Sequence, residues 1–209
     1  MVELSTETTF YRIPLVCEAA PQIGCGCRAK PVLAALEREP NVVGAWLSRS
    51  GSVLAVEWRN AIAVGHKLQI VAAALGREAH VEQVIDDREL RALHELLGST
   101  QDWFRAGDVH RLSIEEAGVI ARRIAQRLAS ALRIEPQQLA NFESTLSAAC
   151  SQVLRYEAAA SQVWRTERLR QAVHEAATVA LGQEALGALK ASPSLADHRP
   201  NDSESRVAM

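Results

Sequence analysis

The sequence contains no long run of apolar residues. Its most hydrophobic segments, such as VVGAWL and IVAAAL, are far shorter than the roughly 18 consecutive apolar residues that a membrane-spanning helix needs. Its first residues, MVELSTETTF, lack the basic start and the apolar core of a secretory signal. We therefore expect no membrane span and a cytoplasmic location.

An excess of either charge is also missing. The chain has 23 basic and 25 acidic residues and a net charge of -2, so nothing in the charge balance favours nucleic acid as a partner. Neither a P-loop nor a dinucleotide-binding glycine motif occurs, and nucleotide binding is therefore unsupported. The 6 histidines are scattered and form no H-x-x-x-H or H-E-x-x-H pattern of a zinc enzyme.

What the chain does have is a concentration of thiols. Of its 4 cysteines, Cys17, Cys25 and Cys27 lie within one short stretch, CEAAPQIGCGC. In a reducing compartment, such a cluster indicates metal binding or redox chemistry rather than a disulfide framework. The fourth, Cys150, lies in the helical sequence LSAACSQVL, where a buried core residue is the expected role.

The cluster lies between a predicted strand, Thr8 to Val16, and a predicted helix, Arg28 to Glu39. Glycines flank Cys25 and allow the loop to fold back, which brings the three thiols together. The N-terminus of the following helix lowers thiol pKa values. Three thiolates predict a trigonal site for Cu(I) or Hg(II), and zinc would need a further ligand. Small buried apolar residues and a redox-active dithiol are the two alternatives.

The first part of the chain predicts an α+β fold. A hairpin, a second helix and a fourth strand follow the first helix, in the order β-α-β-β-α-β of a ferredoxin-like domain. The segments that carry this prediction are strands Val42 to Leu47 and Val53 to Trp58, helix Lys67 to Leu75 and strand Glu78 to Ile85. The ferredoxin-like domain is expected to span residues 8–85.

The second part of the chain predicts only helices. We expect a connector over 86–112, a helical hairpin or bundle over 113–191 and a disordered tail over 192–209. Ser113 and Glu116 have the spacing of a capping box, and Pro136 suits the first turn of a helix. From Gln137 to Lys190 the pattern fits either one long helix or two. These helices are also the expected surface for a homodimer.

Residues 10–85 resemble the heavy-metal-associated domain of soft-metal chaperones, mercury-binding proteins and metal-pumping ATPases. The resemblance lies in RIPLVC, CRAKPVLAALEREPNVVGAWL and SGSVLAVEW, in that family's order of elements. It implies a ferredoxin-like fold that carries Cu(I), Hg(II), Zn(II) or a related ion to an accepting protein, and Cd(II) is a further ion that this site could bind. The family's M-x-C-x-x-C is replaced here by C-x7-C-x-C. Arg77 falls where the family often has a Tyr or Lys near the metal.

The sequence thus predicts that Cys17, Cys25 and Cys27 bind a thiophilic heavy-metal ion, for trafficking, sequestration or resistance. The main alternative is a thiol-disulfide oxidoreductase or metal-reducing enzyme that uses the Cys25/Cys27 pair. A third hypothesis is an interaction protein in which the helices carry the function and the first domain is structural.

Overall fold

The structure is a computed structural model that describes most of the chain. The described residues are 6–59, 62–76, 79–98, 101–156 and 162–192. The expected tail, apart from Ser192, and Arg77 lie outside them. The chain divides into two compact units: a sheet unit of residues 1–17 and 22–112, and a helical unit of residues 18–21 and 113–209. Within the described residues there are seven helices and one five-stranded antiparallel sheet, in agreement with an α+β protein.

The sheet unit is organised around antiparallel strands in the order β4-β1-β3-β2-β5. The strands are β1 (Glu7–Arg12), β2 (Val42–Ser48), β3 (Val53–Trp58), β4 (Glu82–Gln83) and β5 (Trp103–Phe104). β1 and β3 pair along their full length, from Glu7 opposite Trp58 to Arg12 opposite Val53. The predicted hairpin is present, because β2 pairs with β3 from Val42 opposite Trp58 to Leu47 opposite Leu54, and β3 is at the centre of the sheet.

Successive side chains of each strand point to opposite faces of the sheet. Both faces are buried, which explains the apolar composition of the strands. On one face, Phe10 and Ala55 belong to a cluster that also includes Val84, Leu93 and Trp103. On the other face lie Tyr11 and Trp58, both fully buried. The Lys67 ammonium lies 5.8 Å from the centre of the Trp58 ring, which places the second helix against this face.

Three helices flank the sheet: α1 (Gly26–Leu36), α2 (Val64–Leu75) and α3 (Asp87–Leu97). α1 tolerates Pro31 in its first two turns, and α2 ends at Gly76, whose φ of 98° few other residues adopt. Asp86 caps α3 because its carboxylate accepts the Glu89 N–H at 2.8 Å.

Two of the predicted strands are shorter than the sequence pattern indicates. β1 ends at Arg12, and the residues that follow it enter the cysteine loop instead of extending the sheet. The fourth strand is limited to Glu82–Gln83, which pair with Arg12 and Tyr11. Inside the expected connector, β5 adds to the sheet edge beside β2, because Trp103 and Phe104 are both buried.

The helical unit contains most of α4 (His110–Ala131) and all of α5 (Pro136–Tyr156), α6 (Gln162–Ala180) and α7 (Gln183–Ala191). The predicted helix start at Pro136 is confirmed. The predicted capping box is wrong, because α4 begins at His110 and Ser113 lies inside the helix. Gly182, with a φ of 82°, separates α6 from α7, so the pattern from Gln137 onward covers more than two helices. Each helix in the described part of the chain is too short or too polar to span a membrane.

Candidate metal centre

Backbone pairing folds the cysteine loop back on itself. Val16 and Gly24 form an isolated antiparallel bridge. On either side of it, the Cys17 N–H donates to the Ile23 carbonyl at 2.9 Å, and the Cys25 N–H donates to the Leu15 carbonyl at 2.7 Å. The sequence predicted that this loop folds back and brings Cys17 close to Cys25. The backbone hydrogen bonds between its two arms explain how it does so, although this pairing is too short to form part of the sheet.

The loop is fastened to the turn between β2 and β3. The Leu15 N–H donates to the Gly51 carbonyl at 3.1 Å, and the Gly24 N–H donates to the Arg49 carbonyl at 2.7 Å. Gly51 has a φ of 75°, a conformation in which a side chain is strained. Both arms of the loop thus rest on the same turn, which limits their freedom to separate.

Helix α1 positions the other two thiols. Cys25 is the N-cap residue, with φ -80° and ψ 99°, and its carbonyl accepts the Ala29 N–H at 2.9 Å. Cys27 is the second residue of α1 and belongs to the buried face of that helix. Because Cys25 precedes the helix and Cys27 lies in its first turn, their side chains converge at the helix N-terminus.

Cys25 is the central sulfur of the three. Its Sγ lies 3.2 Å from the Sγ of Cys27 and within 4.8 Å of the Sγ of Cys17. Both neighbouring thiols hydrogen-bond with it. Cys17, Cys25 and Cys27 are 3%, 6% and 3% exposed respectively, and none of the three is in a disulfide bond. The structure therefore brings together all three cysteines that the sequence singled out.

The surroundings of Cys25 favour its thiolate. Hydrogen bonds from the side chains of Cys17 and Cys27 lower the pKa of Cys25 to about 3, against the opposing effect of burial. The backbone N–H of Arg28 and its guanidinium charge lower this pKa further. This combination favours the Cys25 thiolate at neutral pH, which is the form in which a thiol acts as a nucleophile or a metal ligand.

Cys150 has the opposite character. It is fully buried in α5, as the sequence predicted. Burial, with a smaller effect from the Glu116 carboxylate, raises the pKa of Cys150 to about 12. A thiol that stays protonated at neutral pH is a poor metal ligand and a poor nucleophile. The pKa shifts of Cys150 and Cys25 are therefore opposite in direction, although both cysteines are buried.

Sequence reasoning missed two features of the helical unit. Glu116, interpreted from the sequence as a capping residue, is only 3% exposed. Its spacing of four residues from the apolar Ile120 was the sequence feature that could have indicated this burial. The second feature is a hydrogen bond of 2.5 Å from the Arg123 guanidinium to the Ala19 carbonyl. Both residues belong to the helical unit, since that unit includes Glu18–Pro21. No sequence pattern indicated this pairing.

The chain matches no protein-family model, no curated protein and no solved structure.

Proposed function

We propose that this protein binds a thiophilic heavy-metal ion through Cys17, Cys25 and Cys27, for trafficking, sequestration or resistance. The observation that carries the proposal is the convergence of the buried Cys17 and Cys27 thiols on the sulfur of Cys25, with 3.2 Å between the sulfurs of Cys25 and Cys27. Soft ions such as Cu(I) and Hg(II) prefer thiolate ligands, and Zn(II) and Cd(II) also bind them. Buried thiols are common, but a buried group with a strongly favoured thiolate is typical of a functional site.

The arrangement of strands supports a ferredoxin-like domain in the sheet unit. The strands β1 to β4 follow the order β4-β1-β3-β2, and α1 and α2 are the two crossover helices of a β-α-β-β-α-β unit. β5 is an addition at the β2 edge. On this proposal the cysteines occupy the loop between the first strand and the first helix, where the heavy-metal-associated domains that the sequence resembles hold their ion.

Equilibrium titration of the reduced full-length protein with Cu(I), Hg(II), Zn(II) and Cd(II) tests the proposal. We expect one tightly bound soft ion per chain and its loss in a variant with all three cysteines changed to Ser. Cys150→Ala is the matched control, because that thiol is buried and protonated, and it should leave the stoichiometry unchanged. Equal metal uptake by the triple variant and the parent would contradict the proposal.

The second candidate function is thiol-disulfide exchange or metal reduction by the Cys25/Cys27 pair. The same short sulfur–sulfur distance and the lowered pKa of Cys25 favour it, since a thiolate beside a thiol is the reactive form of a redox dithiol. Mass spectrometry after mild oxidation distinguishes the two. A reversible Cys25–Cys27 disulfide together with turnover of a disulfide substrate supports the enzyme, whereas oxidation without turnover supports the metal site.

Delivery to a metal-accepting protein and dimerisation through the helices are further parts of the proposal. The helical unit already buries an apolar set of its own, which includes Phe142, Leu146, Leu169 and Val173. Val179 on α6 is 79% exposed and is the apolar position we propose for contact with a second copy. Sedimentation of the parent and of Val179→Glu, with and without metal, measures this directly.

A further inference from the structure

We propose that the three-cysteine site accepts trivalent arsenic or antimony, presented as arsenite or antimonite, with all three sulfurs bound to the ion. This inference rests on the proposed function and names a substrate class for it. Arsenite and antimonite share the relevant chemistry: each is a neutral hydroxide in water, each is strongly thiophilic, and each holds three ligands in a pyramid below a lone pair.

The first argument is the spacing of the sulfurs. With a metal–sulfur bond of about 2.3 Å, two sulfurs are about 4.6 Å apart across a linear ion and about 4.0 Å apart in a flat three-coordinate one. At the angles near 90° of a pyramidal ion, the same bond length gives a separation of about 3.3 Å. The Cys25 and Cys27 sulfurs are 3.2 Å apart. For this pair of sulfurs, the pyramidal ion therefore requires the least movement.

The loop resists the movement that other geometries require. Cys25 is fixed by its N–H bond to Leu15 and by its carbonyl bond to Ala29, and Cys27 is held in the buried face of α1. Opening the pair to the spacing of a linear ion would require a change of rotamer in a closely packed interior, where such changes are costly.

The second argument is charge. Three thiolates and a trivalent ion form a neutral complex, whereas Hg(II) leaves one negative charge and Cu(I) leaves two. All three cysteines are at most 6% exposed, and a buried net charge is destabilising unless it is compensated. The compensation at Cys25 comes from Arg28 and its backbone N–H. This compensation can offset part of one negative charge, whereas the neutral arsenic or antimony complex needs no compensation.

The binding reaction involves no oxidation or reduction. Starting from the Cys25 thiolate and the Cys17 and Cys27 thiols, two S–H bonds and three As–O bonds break, and three As–S bonds form. Two hydroxides leave as water with the thiol protons, and the third leaves as hydroxide, which takes a proton from the solvent. Arsenic remains trivalent throughout, and the negative charge of the thiolate leaves the buried loop with that hydroxide.

Phenylarsine oxide provides a matched probe, since carbon occupies one arsenic position and only two sulfurs can bind. Arsenite, phenylarsine oxide and Hg(II) are titrated into full-length protein kept reduced with a phosphine. We expect Cys17→Ser to weaken arsenite binding by about a hundredfold, because the third ligand acts intramolecularly. Binding of phenylarsine oxide, which uses the Cys25/Cys27 pair, should be nearly unchanged. Cys150→Ala should change none of the three.

X-ray absorption of the parent protein loaded with arsenite gives an answer that does not depend on any variant folding. Three As–S bonds support the inference, and two As–S bonds with a retained oxygen overturn it. Arsenite binding that is insensitive to Cys17→Ser also overturns it. If Hg(II) or Cu(I) binds through the cysteines while arsenite does not, the inference fails and the proposed function stands. If none of these ions protects the cysteines from alkylation, both fail.

Discussion

Gly24 and Gly51 pack backbone against backbone. A Cβ atom on Gly24 would lie 2.9 Å from the Cα of Gly51, and a Cβ on Gly51 would lie 2.5 Å from the Cα of Gly24. One glycine is adjacent to a proposed metal ligand, and the other is in the turn between β2 and β3. The approach of the cysteine loop to the sheet therefore depends on two residues that have no side chain.

Gly51→Ala should destabilise the sheet unit and weaken metal binding together. The new Cβ would meet Gly24 and the carbonyl of Leu15, each at 2.5 Å, and the φ of 75° adds strain of about 1–2 kcal/mol. We expect a loss of about 2 kcal/mol or more in urea unfolding. Gly65→Ala is the control, because nothing lies within 4 Å of its Cβ position and a helical alanine is favourable. Equal stability of the two variants would contradict this account of the turn.

Stability of the metal-free protein should depend on pH through Cys25. The folded pKa of about 3 is below the ordinary value of 9.0, so between these values the unfolded chain binds more protons and stability rises with pH. The contribution is complete above about pH 9 and is lost as the pH falls toward 3. Urea midpoints of the parent and of Cys25→Ser, at about pH 4 and about pH 8, measure it. We expect a larger advantage for the parent at the higher pH, and a constant difference would refute the assignment.

Cys150 should produce the opposite slope at alkaline pH. Its folded pKa of about 12 is above the ordinary 9.0, so between these values the folded protein holds the extra proton and stability falls as the pH rises. In Cys150→Ala this loss disappears, although the variant is less stable at neutral pH by about 1 kcal/mol because a buried atom is removed. Thermal unfolding at about pH 7.5 and about pH 10.5 should show the gap between variant and parent narrowing. A gap that widens would exclude a protonated thiol in the native state.

Glu116→Gln tests the smaller cause of that shift. Without the carboxylate, the pKa of Cys150 should fall, although burial keeps it above its ordinary value. Alkylation of Cys150 measured against pH, in urea just below the unfolding transition, reports the change. The alkylation profile should move to lower pH in Glu116→Gln and stay in place for Glu167→Gln, whose carboxylate pairs with Arg170 at the surface.

Arg123→Ala should loosen the loop segment Glu18–Pro21. The guanidinium of Arg123 donates to the Ala19 carbonyl at 2.5 Å, and a hydrogen bond to a charged donor contributes about 1.5–3 kcal/mol. Hydrogen exchange at the amides of residues 18–20 should accelerate in the variant. Arg122→Ala is the control, since Arg122 pairs with Glu143 at the surface. Unchanged exchange in Arg123→Ala would show that other contacts hold the segment.

The strands and helices with strong local patterns could be predicted, and those that depend on distant contacts could not. The hairpin of β2 and β3 follows from alternation and turn residues, and its bounds differ from the prediction by one residue. β5 has only two residues, and it exists because β2 offers an open edge and Trp103 enters the core. No periodic pattern in the sequence predicts such a short strand.

The same distinction applies to the site. The clustering of Cys17, Cys25 and Cys27 is visible in the sequence, because they lie in one loop with glycines beside Cys25. The central position of Cys25 among the three sulfurs is not visible in the sequence. It depends on the short bridge between Val16 and Gly24 and on the role of Cys25 as the N-cap of α1. The burial of Glu116 could not be predicted, because the spacing of Ser113 and Glu116 fits both a local capping motif and the buried face of a helix.

The assignment of Glu18–Pro21 to the helical unit has a consequence for anyone who dissects this protein. The chain passes from one unit to the other after Cys17, returns before Gln22 and crosses again after Leu112. No single cut in the chain can separate the two units. A fragment that ends at Leu112 contains residues Glu18–Pro21 but lacks Arg123, whose guanidinium donates to the Ala19 carbonyl. Those four residues are part of the segment that links Cys17 to Cys25. A truncation intended to isolate the metal-binding part would therefore alter the very loop that holds the cysteines.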